Sequence, residues 1–153
     1  MTNHGFAAER TLGKLTKWLR LLGFDAIFEL DVPDDFLFEA LKRDRILLTR
    51  TERVRDKYSY QRLIFIESND PKEQLSHVIR ELGIVEADMR PFSRCLRCNV
   101  EITEVEKDLV YGRVPDYIWE THDRFQNCPM CRRIYWPGSH TKRSMKTIRE
   151  FFD

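Results

Sequence analysis

The chain has 153 residues, of which 42% are hydrophobic and 33% charged, and its formal net charge is +1. This composition is typical of a soluble globular protein with one domain, or one domain and a small appendage, and it excludes disordered chains. No apolar run approaches the roughly 20 residues of a membrane-spanning helix, and the N-terminus lacks a signal-peptide pattern, so we expect a cytoplasmic protein with no membrane contact.

Charge is distributed unevenly along the chain. Residues 1–89 contain 14 Lys/Arg and 16 Asp/Glu, whereas residues 90–153 contain 12 and 9. A basic C-terminal part beside a mildly acidic N-terminal part is compatible with nucleic-acid binding there, and a difference of this size also arises often by chance.

The first 89 residues alternate between strand and helix patterns. Short apolar segments predict strands at residues 4–8, 26–28, 46–49 and 63–66. Between them, helical spacing and capping residues predict helices that end near Leu22, Lys42 and Leu82. Gly23 and Gly83 follow the first and last of these helices, as helix-ending glycines do. Strands separated by helices indicate a parallel sheet, and hence an α/β domain over residues 1–89.

Residues 90–153 have a different pattern. A long segment between two cysteine pairs contains the step Val114-Pro115 and then an aromatic amphipathic stretch, which predicts an inserted loop with a short helix. Residues 133–136 resemble a strand ended by Pro137-Gly138, and residues 141–152 predict a basic terminal helix. We expect a small second domain, a zinc ribbon with a C-terminal helix.

The four cysteines form two Cys-x-x-Cys pairs, Cys95 with Cys98 and Cys128 with Cys131. A two-residue gap lets a tight turn direct two thiolates at one metal, and two such knuckles complete a tetrahedral shell. Two disulfides are disfavoured without a secretion signal, and a redox motif needs only one pair. The spacing therefore predicts a structural zinc ion held by all four cysteines.

Polar residues follow the predicted strands, and in a parallel sheet these strand ends meet at one edge, where ligands bind. Acidic side chains at several of these ends suit Mg²⁺ or Mn²⁺ and phosphodiester hydrolysis. Asp34, Asp35 and Asp70 also stand where helix N-caps belong, so each has an alternative interpretation as a cap.

Several ordered motifs resemble the Mut-seven C-terminal RNase domain family, a branch of the PIN-like nucleases with an appended zinc ribbon. They extend from about residue 6 to residue 145, nearly the whole chain. They are Leu12-Gly13-Lys14-Leu15 with residues 17–23, Arg45 to Arg50, Ser68 to Pro71 with Gln74-Leu75, Arg90 to Asn99, Cys128 to Cys131, and Tyr135 to His140.

The resemblance implies a PIN-like fold and a metal-dependent ribonuclease site built from acidic residues. Carried over by position, the catalytic candidates are Glu9, Asp34, Asp35 and Asp70. The family usually has aspartate where this chain has Glu9, and also where it has Thr51, beside which Glu52 is a doubtful substitute. Glutamate moves the carboxylate outward by one bond and threonine removes a charge, so we expect a weakened Mg²⁺ or Mn²⁺ site.

Two functions follow from the resemblance. The first is a metal-dependent endoribonuclease with a weakened acidic site, and the alternative is an inactive PIN-like module that binds RNA or a protein partner. Arginines are candidates for RNA contact or for ordinary surface charge, namely Arg50, Arg94, Arg97, Arg132 and Arg133. Tyr135 and Trp136 are candidates for base stacking or for packing of the ribbon.

Overall fold

A computed structural model describes residues 4–34 and 36–152, except for the side chain of Phe38. The chain divides into two compact units, the first extending to Asn99 and the second beginning at Val100. Residues 90–99 fold with the first unit because their backbone bonds to it: Arg90 N and Phe92 N donate to Leu22 O and Leu21 O at 2.8 and 2.9 Å. The division after residue 89 stays a prediction of domain organisation.

The first unit contains a four-stranded parallel sheet, which confirms the predicted α/β class. Its strands are β1 (Gly5–Ala8), β2 (Asp25–Phe28), β3 (Ile46–Thr49) and β4 (Leu63–Phe65). They lie in the order β2-β1-β3-β4, and Ala8 at the end of β1 pairs with Phe28 and with Leu48. β1 and β3 are almost continuously apolar and buried, as expected for central parallel strands.

Four helices connect and flank these strands: α1 (Gly13–Leu21), α2 (Phe36–Lys42), α3 (Glu52–Lys57) and α4 (Pro71–Leu82). Asp70 caps α4 by accepting a bond from Lys72 N at 3.0 Å, and Gly83 ends it with a left-handed φ of 62°. The sequence did not predict α3, which is one and a half turns long and has no buried residue. Without an apolar stripe, such a helix leaves no periodic signal.

The second unit is a three-stranded antiparallel sheet with two helices. Its strands are β5 (Thr103–Val105), β6 (Phe125–Asn127) and β7 (Ile134–Tyr135), in that order. Helix α5 (Asp116–Thr121) lies in the predicted insertion, and α6 (Ser139–Glu150) is the predicted basic helix. A small apolar cluster forms its core, onto which Trp136 packs; its buried members are Val110, Val114, Ile118 and Phe125.

Among the described residues, no helix has both the length and the apolar character to cross a bilayer.

Candidate functional site: the cysteine cluster and the carboxyl edge of the sheet

The four cysteine sulfurs lie within 4.8 Å of one another, and they are the only group of three or more possible metal ligands among the described residues. Cys95 and Cys128 are buried, and all four are free of disulfides. Backbone amides approach the buried sulfurs: Cys98 N lies 3.4 Å from Cys95 Sγ, and Cys131 N lies 3.4 Å from Cys128 Sγ. Four soft thiolates with amide support could hold a metal such as zinc.

Both knuckles close with the same backbone turn. The residue after the second cysteine has a positive φ, 63° for Asn99 and 65° for Arg132. Asn99 N donates to Cys95 O and Arg132 N donates to Cys128 O, each at 2.9 Å. Asparagine tolerates the left-handed region better than most residues, which gives a physical reason for Asn99 in the first knuckle.

The Asn99 side chain also ties the first knuckle to β2. Its Oδ1 accepts from Ala26 N at 3.0 Å, and its Nδ2 donates to Asp25 Oδ1 at 2.7 Å. Arg45 completes the network, with Nη1 lying 2.9 Å from Asp25 Oδ1. Burial by itself would raise the pKa of Asp25, but the bonds from Arg45 and Asn99 outweigh it and hold the pKa below its ordinary value.

Asp25 should therefore contribute stability that depends on pH. Because its folded pKa is depressed, the contribution is present above the unfolded pKa of about 3.9 and is lost as the pH falls through the folded value. Asp25→Asn should lower the free energy of unfolding at pH 7 by on the order of 1 kcal/mol, since solvent screens this partly exposed carboxylate. As the pH falls, the stability of the variant should decrease less steeply than that of the native protein. Urea unfolding from pH 7 to pH 2 measures this; parallel curves for the variant and the native protein would contradict it.

Arg20 is the main anchor of the first knuckle within the first unit. Its side chain is only 5% exposed, and Nε donates to Ala26 O at 2.9 Å while Nη1 donates to Leu96 O at 2.9 Å. Nη2 lies 3.3 Å from Asp31 Oδ2. Helical spacing assigns Arg20 to a face of α1 outside the apolar stripe, yet it is buried, because the knuckle covers this end of α1.

Close backbone approach at Gly23 fixes the corner between the end of α1 and the segment that leads into the first knuckle. Gly23 has a φ of 94°, and a Cβ there would lie 2.5 Å from Arg90 O. Arg94 also contacts this corner: its Nη1 donates to Asn99 O at 2.6 Å and its Nε to Gly23 O at 3.4 Å. The guanidinium of Arg94 thus makes structural contacts within the first unit, and its contact with RNA stays a prediction.

Glu9 occupies the carboxyl end of β1 and is the only buried carboxylate among the described residues, at 7% exposure. Four protein groups donate to it. Thr49 Oγ1 lies 2.7 Å from Oε2, and Arg50 N lies 2.6 Å from Oε1. Thr11 Oγ1 lies 3.2 Å from Oε1, and Thr51 Oγ1 lies 3.2 Å from Oε2 and 3.3 Å from Oε1.

This donor set does not fit a catalytic Mg²⁺ or Mn²⁺. A carboxylate has about four lone-pair sites, and four donors from the protein already occupy them. Thr51 directs its hydroxyl to Glu9, so the position where an aspartate was expected supplies a hydrogen bond in place of a second negative charge. No group of three carboxylates within ligand distance forms among the residues that the structure describes.

The other predicted acids occupy different positions. Asp70 acts as the N-cap of α4, which is the alternative interpretation of that residue. Asp34 is exposed in a turn before α2, Glu52 is exposed at the start of α3, and Asp35 lies outside the described residues. Glu29, directly after β2, was not among the predicted acids, although the strand-end rule would have identified it. Its carboxylate accepts from Arg10 N at 3.0 Å.

The remaining predicted arginines have few polar contacts. Arg97, Arg132 and Arg133 are exposed. Arg50 is half-buried: its Nη2 donates to Glu67 O at 3.5 Å, and its buried Nε has no hydrogen-bond partner among the described residues. The three exposed arginines leave their charges available, and the role of all four in RNA contact stays a prediction.

A comparison with known protein families shows to which family the chain belongs. The sequence model of the Mut7-C RNAse domain matches residues 4–148, essentially the whole chain. The chain belongs to the Mut7-C RNAse domain family. Membership suggests a nuclease-like role and an interaction with RNA, and it confirms the family predicted from the ordered motifs. The comparisons with curated proteins and with solved structures each found no match.

Proposed function

We propose that this Mut7-C domain binds RNA without cutting it by metal-assisted hydrolysis, and that its four cysteines hold one structural zinc ion. The observation that carries the proposal is the Glu9 carboxylate, whose oxygens already accept from three threonine hydroxyls and one backbone amide. A divalent ion would have to displace these donors, three of which (Thr49, Arg50 N and Thr51) lie at the end of β3 and in the β3–α3 connection.

The groups around Glu9 favour its hydrogen-bonded state over a metal-bound state. Mg²⁺ is usually bound by one or two carboxylates together with substrate phosphates, and the oxygens of Glu9 already accept hydrogen bonds from protein donors. Thr51 is neutral, and Asp70 is engaged at the start of α4. The family fold is therefore retained, while the carboxyl edge of the sheet carries less negative charge than the acidic site that the resemblance implies.

A metal-dependent endoribonuclease is the second candidate function. It is favoured by Glu9 itself, a buried acid at the carboxyl edge of a parallel sheet, in the position where the resemblance implies an acid. The two candidates differ in one measurable property, since only the nuclease needs a divalent ion at Glu9.

One experiment separates the two candidates. The purified chain is incubated with single-stranded and structured RNA in Mn²⁺ or in EDTA, and binding is followed in parallel by fluorescence anisotropy. We expect RNA binding in both conditions and no cleavage above background. Cleavage that requires Mn²⁺ and disappears in Glu9→Gln, but persists in the exposed control Glu86→Gln, would overturn the proposal in favour of the nuclease.

Restoration of two aspartates provides the complementary test. Glu9→Asp with Thr51→Asp should cost about 1–3 kcal/mol, because the shorter carboxylate at position 9 no longer reaches all of Thr11, Thr49 and Arg50 N. The second charge should create a Mn²⁺ site, so the melting temperature of the double variant should rise with added Mn²⁺ while that of the native chain stays constant. Equal responses would show that positions 9 and 51 do not face a common metal.

A further inference from the structure

Helix α6 carries a predominantly basic face. Lys142, Lys146 and Arg149 follow the spacing i, i+4, i+7, which places them on one side of the helix, and Arg143 lies beside them. All four are exposed, and Glu150, the only acidic residue of the helix, is exposed on the same side, four residues after Lys146. Within the described part of the chain, none of these four cations has an ion-pair partner.

The opposite face of α6 is already covered. Ile148 is 3% exposed and Met145 is half-buried, so the apolar side of this amphipathic helix packs within the protein. A basic amphipathic helix that binds a membrane needs its apolar side free for insertion, which is not the case here. The exposed side carries four cations and one carboxylate, so its charge is predominantly positive, and this is the chemistry that recognises a phosphate backbone.

We propose that the basic face of α6, formed by Lys142, Arg143, Lys146 and Arg149, is a binding surface for the phosphate backbone of single-stranded RNA. Lys142 and Arg149 are about 10 Å apart along the helix axis, which is roughly the length of three stacked nucleotides. The surface carries no base-reading geometry, so it binds without sequence preference. This inference rests on the proposed RNA-binding function and assigns it to a defined surface.

Salt dependence tests the assignment, because each phosphate contact releases a counterion. The binding of a labelled 12-nucleotide single-stranded RNA by the full chain is measured between 50 and 200 mM salt. For Lys142→Gln with Lys146→Gln, we expect affinity to fall on the order of tenfold and the log–log salt slope to flatten by about 1.4, since each contact with a single strand contributes about 0.7. The matched control, Lys72→Gln with Arg80→Gln on the equally long helix α4, should behave as the native chain does.

A second variant separates charge from structure. Lys142→Arg with Lys146→Arg keeps both charges and should retain native binding and salt slope. Unchanged binding in the glutamine variant, or an equal loss in the α4 control, would overturn the assignment to α6 while the RNA-binding function stands. Absence of RNA binding by the native chain would overturn both. If the chain preferred polyglutamate or phosphatidylserine vesicles to RNA and this binding required the two lysines, the ligand of the α6 surface would be an acidic protein or a membrane, and the assignment to RNA would be overturned.

Discussion

Removal of the metal from the cysteine cluster, or the substitution Cys128→Ser, should unfold the second unit. Its main apolar cluster has four buried members, seven apolar side chains in all are buried among its described residues, and its strands are two or three residues long. A core of this size does not offset the conformational entropy of some 50 residues, so a staple is required. Structural zinc supplies about 10–16 kcal/mol of apparent binding free energy in comparable small sites.

Hydrogen exchange locates the effect. After chelation, amides of β5 and β6 should lose protection, whereas β1 and β3 should keep it because they have a separate sheet and core. Met130→Ser is the matched control: Met130 lies between Cys128 and Cys131 but is 68% exposed and offers no ligand in the four-cysteine cluster. One zinc per chain by elemental analysis is expected for the control and none for Cys128→Ser. Native protection of Phe125–Asn127 in the metal-free chain would refute a structural role.

Much of the fold could be predicted because its signals are local. The strand Ile46–Thr49 has the predicted limits, since a short apolar run between charged residues has few alternatives. Helix α4 also begins and ends at its capping signals, Asp70 with Pro71 and then Gly83. The cysteine spacing predicted a cluster that could hold a metal, because two-residue gaps constrain the geometry of the turn itself.

The carboxyl edge of the sheet was harder to predict, because its chemistry depends on which side chains meet. Sequence position placed Glu9 and Thr51 at neighbouring strand ends, but nothing in the pattern shows that Thr11, Thr49 and Thr51 all donate to Glu9. Threonine is common in strands and in helix-capping positions, so three threonines give no distinctive motif. Only their convergence shows that Glu9 lies within a hydrogen-bonded network.

Arg20 illustrates a second limit of helical periodicity. Spacing assigns Lys14, Lys17 and Arg20 to faces of α1 other than its apolar stripe, and Lys14 and Lys17 are exposed. It fails at Arg20 because the partner that buries this residue is the loop at Leu96 and Arg97, which is more than 70 positions away in sequence. From the sequence alone, an arginine near the end of a helix is interpreted as a surface residue, and only the folded position of the loop at Leu96 and Arg97 shows that Arg20 is buried.

Arg20→Ala should accordingly be the most damaging single substitution in the first unit outside its apolar core. It removes the donors to Ala26 O and Leu96 O and leaves these carbonyls without their charged partner. Each carbonyl that loses its donor costs about 1–3 kcal/mol, so the two together cost about 2–6 kcal/mol, whereas a surface substitution stays within about 0.5 kcal/mol. Lys17→Ala, on the same helix and exposed, is the matched control for urea unfolding.

The same substitution should also weaken zinc binding, and this separates an anchor from a merely stabilising residue. Leu96 lies between Cys95 and Cys98, so release of its carbonyl from Arg20 leaves the first knuckle less preorganised. Outer contacts of this kind typically change metal affinity by about 10–100-fold. Titration with a competing chelator should show tighter zinc retention in Lys17→Ala than in Arg20→Ala; equal retention would limit the role of Arg20 to the packing of α1 against β2.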